Sequence, residues 1–339
     1  MMVHFRNVFR RLIKVVMILL FIAITSICYG QENYEIEQIQ FKNQDVTLAG
    51  ELISPEGDGP FPAIVFLHGS GPHTREGFRS YAVKFAEIGF ASIFYDKRGT
   101  GSSTGSWITS SLDDLANDAV EAVSLLKNDN RINPDLIGFW AISQGGWIGP
   151  LAARKSGCIS FGIIISGGGA SPKESEIFTY QNILNNTNLK ESDKEAAIAL
   201  VYHYFYYLKT GDGYTELNTK IDESKEKDWY KYIRLDRILP SEKNRPNWEW
   251  VAAYDPSFDI KRIDFPLLLM FGEKDASHPT ELSVSKWEEF LRPSVQEKTL
   301  IKIFPEAGHG IRMRHLEGKP FAEGYENTMI RWLNATLFE

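Results

Sequence analysis

The stretch LIGFWAISQGGWIGPLAARKS, residues 136–156, places a serine between a short apolar run and a pair of glycines. The run LIGFWAI is typical of a strand that is buried on both faces of a parallel sheet, and GGWIGPLAARKS is typical of a helix with a glycine-rich start. In such a strand–turn–helix sequence the serine stands on the sharp turn of a G-x-S-x-G motif, where its hydroxyl is exposed for reaction. Ala141 and Gly145, two residues before and after Ser143, are small enough for that turn. The stretch predicts a nucleophile at Ser143, with an ordinary surface serine as the alternative.

Apolar runs and helical patterns alternate along much of the remaining chain. Residues 34–54 contain two runs with partial alternation of apolar and polar positions, which predict an antiparallel start to a sheet. Further strands are predicted at residues 63–69, 91–99, 136–143, 160–168, 266–272 and 299–304, with helices at 77–88, 111–125, 145–156, 280–291 and 321–337. Strands that alternate with helices form one mostly parallel sheet with helices on both faces. The predicted fold class is α/β.

Residues 171–262 interrupt this alternation with a helical, charged and aromatic segment. The insertion divides the predicted core into residues 31–170 and 263–339. A helical block inserted late in a sheet is either a lid over an active site or a subdomain that packs on the core. Its aromatic residues are expected either to line a pocket or to pack the insertion onto the core: Tyr204, Tyr206, Trp229, Trp248 and Trp250.

A carboxylate and a histidine follow the last two predicted strands. Asp275 ends the segment FGEKD, with Glu273 as a competing carboxylate, and His309 lies between two glycines in FPEAGHG. The carboxyl ends of parallel strands meet at one edge of a sheet, where the sites of such folds are built. The chain order serine, aspartate, histidine matches the order of a nucleophile, an orienting acid and a base.

The segment HGSGP, residues 68–72, follows another predicted strand. A loop of this kind turns a backbone N–H toward the negative oxygen that develops during acyl transfer, and Ser70 is the expected donor. The backbone N–H of Gln144, at the start of the helix after Ser143, is the expected second donor. We expect His68 to hold the loop rather than to act as the base.

Together these segments resemble the α/β-hydrolase superfamily over residues 45–339, apart from the insertion. The stretch YDKRGTGSS, residues 95–103, adds to the likeness, since bacterial members often carry a D-x-R-G-x-G-x-S sequence there. Within the superfamily the chain is similar to the bacterial esterase and dienelactone-hydrolase-like group, which includes exported carboxylesterases with a lid. The chain departs from the usual motif at Ala141, where glycine is common, and at Ile142, where histidine is common.

The resemblance implies an α/β-hydrolase fold and hydrolysis of carboxylic esters through an acyl-enzyme. The implied roles are Ser143 as nucleophile, His309 as general base and then general acid, and Asp275 as the group that orients His309. Neither a metal nor an organic cofactor is required. The expected substrate is a small-molecule ester with a short to medium acyl chain, because no long apolar lid helix is present.

Three other functions are compatible with the sequence. A peptidase related to proline iminopeptidases would need acidic groups for the amino terminus of its substrate, and Glu176, Glu191 and Glu216 are candidates. A thioesterase would use the same residues as an esterase. A non-catalytic binding protein on this fold is the third possibility, because a fold does not by itself confer a function.

The first thirty residues have the pattern of a secretory signal peptide. Four basic residues precede the apolar run VVMILLFIAI, and small or polar residues follow it up to Gly30, where cleavage is expected. The predicted location is therefore periplasmic or secreted, without stable membrane insertion after cleavage; a retained N-terminal anchor is the alternative.

Removal of residues 1–30 changes the formal net charge from −7 to −11. An acidic chain without a basic stripe is a poor partner for nucleic acid. Cys158 would be the only cysteine left, which excludes an intramolecular disulfide. The sequence does not indicate an oligomeric state.

Overall fold

The computed structural model describes residues 33–338, so the predicted signal peptide lies outside the described residues. The strands are β1 Tyr34–Asn43, β2 Val46–Pro55, β3 Phe61–Leu67, β4 Ala91–Tyr95, β5 Ile132–Ile142, β6 Ile159–Ile165, β7 Leu267–Gly272 and β8 Leu300–Phe304. They form one sheet in the order β1-β2-β4-β3-β5-β6-β7-β8. The β1–β2 and β2–β4 pairs are antiparallel and the other pairs are parallel. The predicted α/β fold, with an antiparallel start and a mostly parallel sheet, is confirmed.

Helices connect the parallel strands. Their bounds are α1 Arg79–Glu87, α2 Leu112–Lys127, α3 Gly145–Ser156, α4 Pro172–Asn185, α5 Glu191–Thr210, α6 Tyr214–Ser224, α7 Tyr230–Ile233, α8 Glu249–Ala253, α9 Ser257–Ile260, α10 Thr280–Phe290, α11 Pro293–Gln296 and α12 Tyr325–Leu337. The Ser111 side chain accepts from the Asp114 N–H and the Asp114 side chain accepts from the Ser111 N–H, which forms the capping box of α2. Within residues 33–338, none of the helices has the length and apolarity needed to span a lipid bilayer.

The core consists of two apolar layers, one on each face of the sheet. Successive strand residues point to opposite faces, so Val65 and Phe139 pack in one layer and their neighbours Phe66 and Trp140 pack in the other. Helices α2, α3 and α10 cover the first layer, and α1 and α12 cover the second. This arrangement buries most of the inner strands β2 to β7 on both faces, whereas the edge strands β1 and β8 stay largely exposed. The carboxyl ends of the parallel strands remain free to carry a site.

The chain from α4 to α9 lies between β6 and β7 and has an apolar cluster of its own. Val201, Phe205 and Leu208 of α5 are fully buried in this cluster. Trp250 packs against both this cluster and the core layer beside α3. The helical content expected for residues 171–262 is therefore present, and Trp250 is one of the contacts that join the segment to the core.

Candidate active site

Ser143 occupies a strained turn at the carboxyl end of β5. Its φ angle is +54°, in the left-handed region that non-glycine residues rarely adopt. The backbone holds it there, because the Ser143 N–H donates to the Ile165 carbonyl at 2.9 Å and the Ser143 carbonyl accepts from the Gly146 N–H at 2.8 Å. Such strain costs on the order of 1–3 kcal/mol and clusters at functional sites.

The neighbours of Ser143 are small because the backbone around the turn is crowded. A Cβ atom on Gly145 would lie 2.7 Å from the Leu67 carbonyl oxygen, and one on Gly146 would lie 2.5 Å from the carbonyl carbon of Gly167. Ala141 is fully buried, so its single methyl group fits where the common motif has glycine. The departure at this position is therefore compatible with the turn.

The loops after β7 and β8 bring Asp275 and His309 together. His309 Nδ1 lies 2.8 Å from Asp275 Oδ2, while Asp275 Oδ1 accepts from the backbone N–H groups of Ser277 and His278 at 2.8 and 2.9 Å. Burial alone would raise the pKa of Asp275, but the hydrogen bond and charge of His309, with the Ser277 N–H, outweigh it and hold this pKa below its usual value. The competing carboxylate, Glu273, is exposed and accepts from the Glu306 N–H.

Ser143 and His309 line the same cavity, whose volume is about 490 Å³. The His309 loop is fixed from β6, since the Gly310 N–H donates to Ser166 Oγ at 3.1 Å and Ser166 is fully buried. Within residues 33–338, Ser143 Oγ and His309 do not form a hydrogen bond with each other. In ligand-free sites the hydrogen bond between a nucleophile and its base is often long or absent. The evidence that Ser143 and His309 belong to one site is therefore the cavity that both of them line.

The loop HGSGP lies directly beside Ser143. A Cβ atom on Gly69 would be 3.4 Å from Ser143 Cβ and 3.9 Å from Ser143 Oγ. Across residues 33–338, no hydrogen-bond acceptor pairs with the backbone N–H of Ser70 or Gln144, the two expected oxyanion donors. Gln144 directly precedes α3, at a helix start, where backbone N–H groups lack the carbonyl partners that the helix interior supplies.

The histidines near this loop have structural contacts. Buried His68 donates through Nε2 to the Tyr95 carbonyl at 2.6 Å, and burial lowers the pKa of His68 to about 3. It is therefore neutral and ties the loop to β4, as expected for a residue that is not the base. His73 donates through Nε2 to the Ser70 carbonyl at 2.6 Å and also lines the cavity of Ser143.

Lys97, which is not among the site residues predicted from the sequence, connects the two expected oxyanion segments. Its Nζ lies 2.7 Å from the Gly69 carbonyl oxygen and 2.7 Å from Gln144 Oε1. The side chain is buried, and burial lowers the pKa of Lys97 to about 7. The available signal was its place in YDKRGTGSS, directly beyond β4 at the edge of the sheet that carries the site.

A second cavity, of about 250 Å³, shares Ser70 with the first and is also lined by Gln144, and its walls come from both the core and the insertion. Its walls are mainly aromatic and include Trp107, Trp147, Tyr180, Tyr204, Trp248 and Trp250. Three of the aromatic residues considered for a pocket are thus part of one. The other two are not, because Tyr206 is exposed on the surface and Trp229 is buried in the apolar cluster of the insertion.

Glu176 of α4 is the acidic residue in the wall of this second cavity. In the described part of the chain its carboxylate has neither a hydrogen-bond partner nor an ion-pair partner. Its side chain is exposed to the cavity, and desolvation by the surrounding protein raises the pKa of Glu176. Glu191 and Glu216 lie on the surface instead, where they pair with Lys194 and Lys220.

Comparison with known proteins gives consistent matches. Residues 58–198 match the model of the family described as Serine aminopeptidase, S33. The chain is 25% identical to esterase EstD of Thermotoga maritima over 81% of its own length, and the match spans only 61% of that protein. It is 26% identical to the quorum-quenching protein AidA of Acinetobacter baumannii, over 73% of this chain and 81% of that protein.

Acetyl xylan esterase 1 from Thermoanaerobacterium is similar in structure, with a TM-score of 0.56 and 16% identity over 91% of this chain and 86% of that one. At this identity the likeness concerns the fold. Together with the strand order and the turn at Ser143, these matches show that the chain has the α/β-hydrolase fold.

Proposed function

We propose that the protein is a serine hydrolase that cleaves carboxylic esters through an acyl-enzyme on Ser143. The observation that carries the proposal is the 2.8 Å contact between Asp275 and His309 in the loop that shares a cavity with Ser143. The matches to esterases support the reaction class.

The mechanism follows from the partners of each group. Because the ionised Asp275 only accepts hydrogen bonds, the proton of neutral His309 is on Nδ1 and the lone pair is on Nε2. Nε2 takes the hydroxyl proton as Ser143 Oγ attacks the ester carbonyl carbon, and Asp275 stabilises the imidazolium that results. The negative oxygen of the tetrahedral intermediate accepts from the Ser70 and Gln144 N–H groups.

The intermediate then collapses to products in two stages. His309 returns its proton to the alcohol oxygen as the carbon–oxygen bond breaks, which leaves an acyl group on Ser143. A water molecule gives its proton to Nε2 and attacks the acyl carbon, and that proton passes back to Ser143 Oγ as the acid leaves. Each cycle consumes one ester and one water and restores the enzyme.

The aromatic cavity, which we take as the acyl pocket, favours small acyl groups. It measures about 250 Å³, which is below the range of roughly 300–1,000 Å³ typical of sites for drug-sized ligands, whereas the cavity that Ser143 lines measures about 490 Å³. We expect p-nitrophenyl acetate and butyrate to be hydrolysed faster than the palmitate, and Ser143→Ala to remove the activity. Faster turnover of the palmitate would contradict the substrate range. Equal activity of Ser143→Ala would contradict the mechanism.

A second candidate is hydrolysis of aminoacyl esters or peptides with a free amino terminus. The unpaired carboxylate of Glu176 in an aromatic cavity favours it, because aromatic faces and a carboxylate both attract an ammonium group. The match to the serine aminopeptidase family points in the same direction. Comparison of aminoacyl esters with simple acyl esters tests this candidate.

We also propose that residues 1–30 direct export and that the insertion acts as a lid. The charged and apolar pattern before Gly30 supports export, and the insertion's contribution to the aromatic cavity supports the lid. Mass spectrometry of the mature N-terminus tests the first proposal, with a start near residue 31 expected and a start before residue 25 contradicting it. Deletion of the insertion without an effect on ester selectivity would contradict the second.

A further inference from the structure

Lys97 is a buried amine for which the proposed ester hydrolysis has no assigned role. Its two hydrogen-bond acceptors are neutral oxygens, the Gly69 carbonyl and Gln144 Oε1. Within residues 33–338, Lys97 does not pair with any carboxylate; its other polar contact is with the Trp107 ring, whose centroid lies 5.5 Å from Nζ. Burial of a lysine without a carboxylate partner costs stability, so stability alone does not explain its place here.

The two acceptors belong to the two segments that carry the expected oxyanion donors. The Gly69 carbonyl and the Ser70 N–H are the two ends of one peptide group, and this peptide is trans. In a planar trans peptide the C=O and N–H bonds point in opposite directions. A group that holds the Gly69 oxygen therefore also fixes the direction of the Ser70 N–H, which faces away from Lys97.

Lys97 also fixes the second segment. Its contact with Gln144 Oε1 holds the residue whose backbone N–H is the other expected donor. The neutral amine and the ammonium both have enough N–H groups for two acceptors, so this arrangement survives loss of the proton. Together the two contacts bind the loop after β3 to the start of α3 through one atom.

We propose that Lys97 is a positioning residue that sets the geometry of the oxyanion hole by holding the Gly69–Ser70 peptide and Gln144. The inference rests on the proposed ester hydrolysis and names a residue through which that site is preorganised. Lys97 acts on the transition state through Ser70 and Gln144 and does not itself touch the substrate. Its loss should therefore reduce kcat far more than it changes KM.

The test compares wild type with Lys97→Met on p-nitrophenyl butyrate. Removal of an oxyanion donor reduces kcat by about 10²–10³. Because the donor remains here and only its orientation is lost, we expect kcat to fall by about tenfold to a hundredfold, with KM changed less than about threefold. Phenylboronic acid, whose adduct with Ser143 is tetrahedral, should lose affinity by a similar factor. A merely structural role would not separate kcat and boronate affinity from KM in this way.

Two further variants make the test specific. Lys97→Arg keeps a cationic donor and should retain more of kcat and of boronate affinity than Lys97→Met; it also keeps the inference testable if the methionine variant does not fold. If Lys97→Arg changed KM alone and left kcat and boronate affinity at wild-type values while Lys97→Met did the same, the inference would be wrong. Lys84→Met is the matched control, since Lys84 pairs with Glu326 elsewhere and should keep wild-type kinetics.

The outcomes distinguish this inference from the proposed function. If wild type hydrolyses the ester and Lys97→Met keeps the wild-type kcat and boronate affinity, the role of Lys97 is wrong and the ester hydrolysis stands. If wild type neither hydrolyses esters nor binds the boronate, both proposals are wrong. A selective loss of kcat and boronate affinity in a folded Lys97→Met supports both.

Discussion

Asp275 Oδ2 and His309 Nδ1 lie 2.8 Å apart, although 34 residues separate them in the chain. Each residue follows a different strand, Asp275 after β7 and His309 after β8, and these strands are parallel neighbours. The sheet therefore brings the two side chains together at its carboxyl edge. Asp275 is further held by the N–H groups of Ser277 and His278, so its carboxylate is fixed before substrate binds.

We expect Asp275→Asn to reduce kcat strongly, because an amide side chain no longer fixes the proton of His309 on Nδ1. The corresponding change in a serine protease costs about 10⁴ in kcat, and a loss of at least about 10³ is expected here. Glu273→Gln is the matched control, since Glu273 is exposed two residues away and lies outside the contact with His309. Equal losses in the two variants, measured by steady-state ester hydrolysis, would show that the acid is misassigned.

The turn at Ser143 depends on close backbone contact between α3 and the chain after β6. Gly146→Ala would place a methyl group 2.5 Å from the Gly167 carbonyl carbon, so the two segments must separate. We expect the free energy of unfolding to fall by at least the ~1–3 kcal/mol typical of overpacking, together with loss of ester hydrolysis. Gly77→Ala is the control, because a Cβ there meets no atom within 4 Å. Wild-type stability of Gly146→Ala in urea unfolding would refute this reading of the turn.

Glu176 should set the preference for a cationic acyl group. The pair 2-aminobutyryl and butyryl p-nitrophenyl ester differs by a single ammonium group. If Glu176 binds that group, Glu176→Gln should lower kcat/KM for the aminoacyl ester by about tenfold to a hundredfold, in line with hydrogen bonds to charged groups, and leave the butyryl ester nearly unchanged. Glu191→Gln, at the surface, should change neither. Equal effects of Glu176→Gln on both esters would exclude amine recognition.

The buried Lys97 makes stability depend on pH. Its pKa is lowered by burial from 10.5 in the unfolded chain to about 7 in the folded protein, so between these values the unfolded chain binds one proton more. The free energy of unfolding of wild type should therefore rise relative to Lys97→Met as the pH increases from about 7 to 10, by at most ~1.4 kcal/mol per pH unit. A difference between the two proteins that is constant over this range, in urea titrations, would mean that burial does not shift the Lys97 pKa.

The sequence predicts the parts of the site that follow one another along the chain. The turn at Ser143 and the strand before Asp275 are readable because buried parallel strands are continuous apolar runs. The strand before His309 lies at the edge of the sheet and is largely exposed, but it is also mostly apolar. Lys97 could not be recognised, because its role arises from contacts with Gly69 and Gln144, which lie 28 and 47 residues away. The sequence alone does not show whether a charged residue in a motif is solvated or buried.

The insertion was the least predictable part for the same reason. The sequence does not distinguish three glutamates of the insertion: Glu176, Glu191 and Glu216. Glu176 lies in the cavity wall because α4 packs against the loop after β7. The aromatic residues of the insertion were equally hard to place from the sequence. Tyr206 faces solvent, whereas Trp229 is buried in the insertion's own apolar cluster. Aromatic content predicts burial in general and does not tell which surface is buried.

The most direct test of the central claim is labelling of the purified protein with a fluorophosphonate probe, followed by peptide mass spectrometry. The probe reacts only with an activated serine, because the hydroxyl is a weak nucleophile without an adjacent base. We predict stoichiometric phosphonylation of Ser143 in wild type and none in Ser143→Ala, which keeps every other serine. Label on a different serine, or no label on a folded protein that binds small esters, would contradict the assignment of Ser143 as the nucleophile.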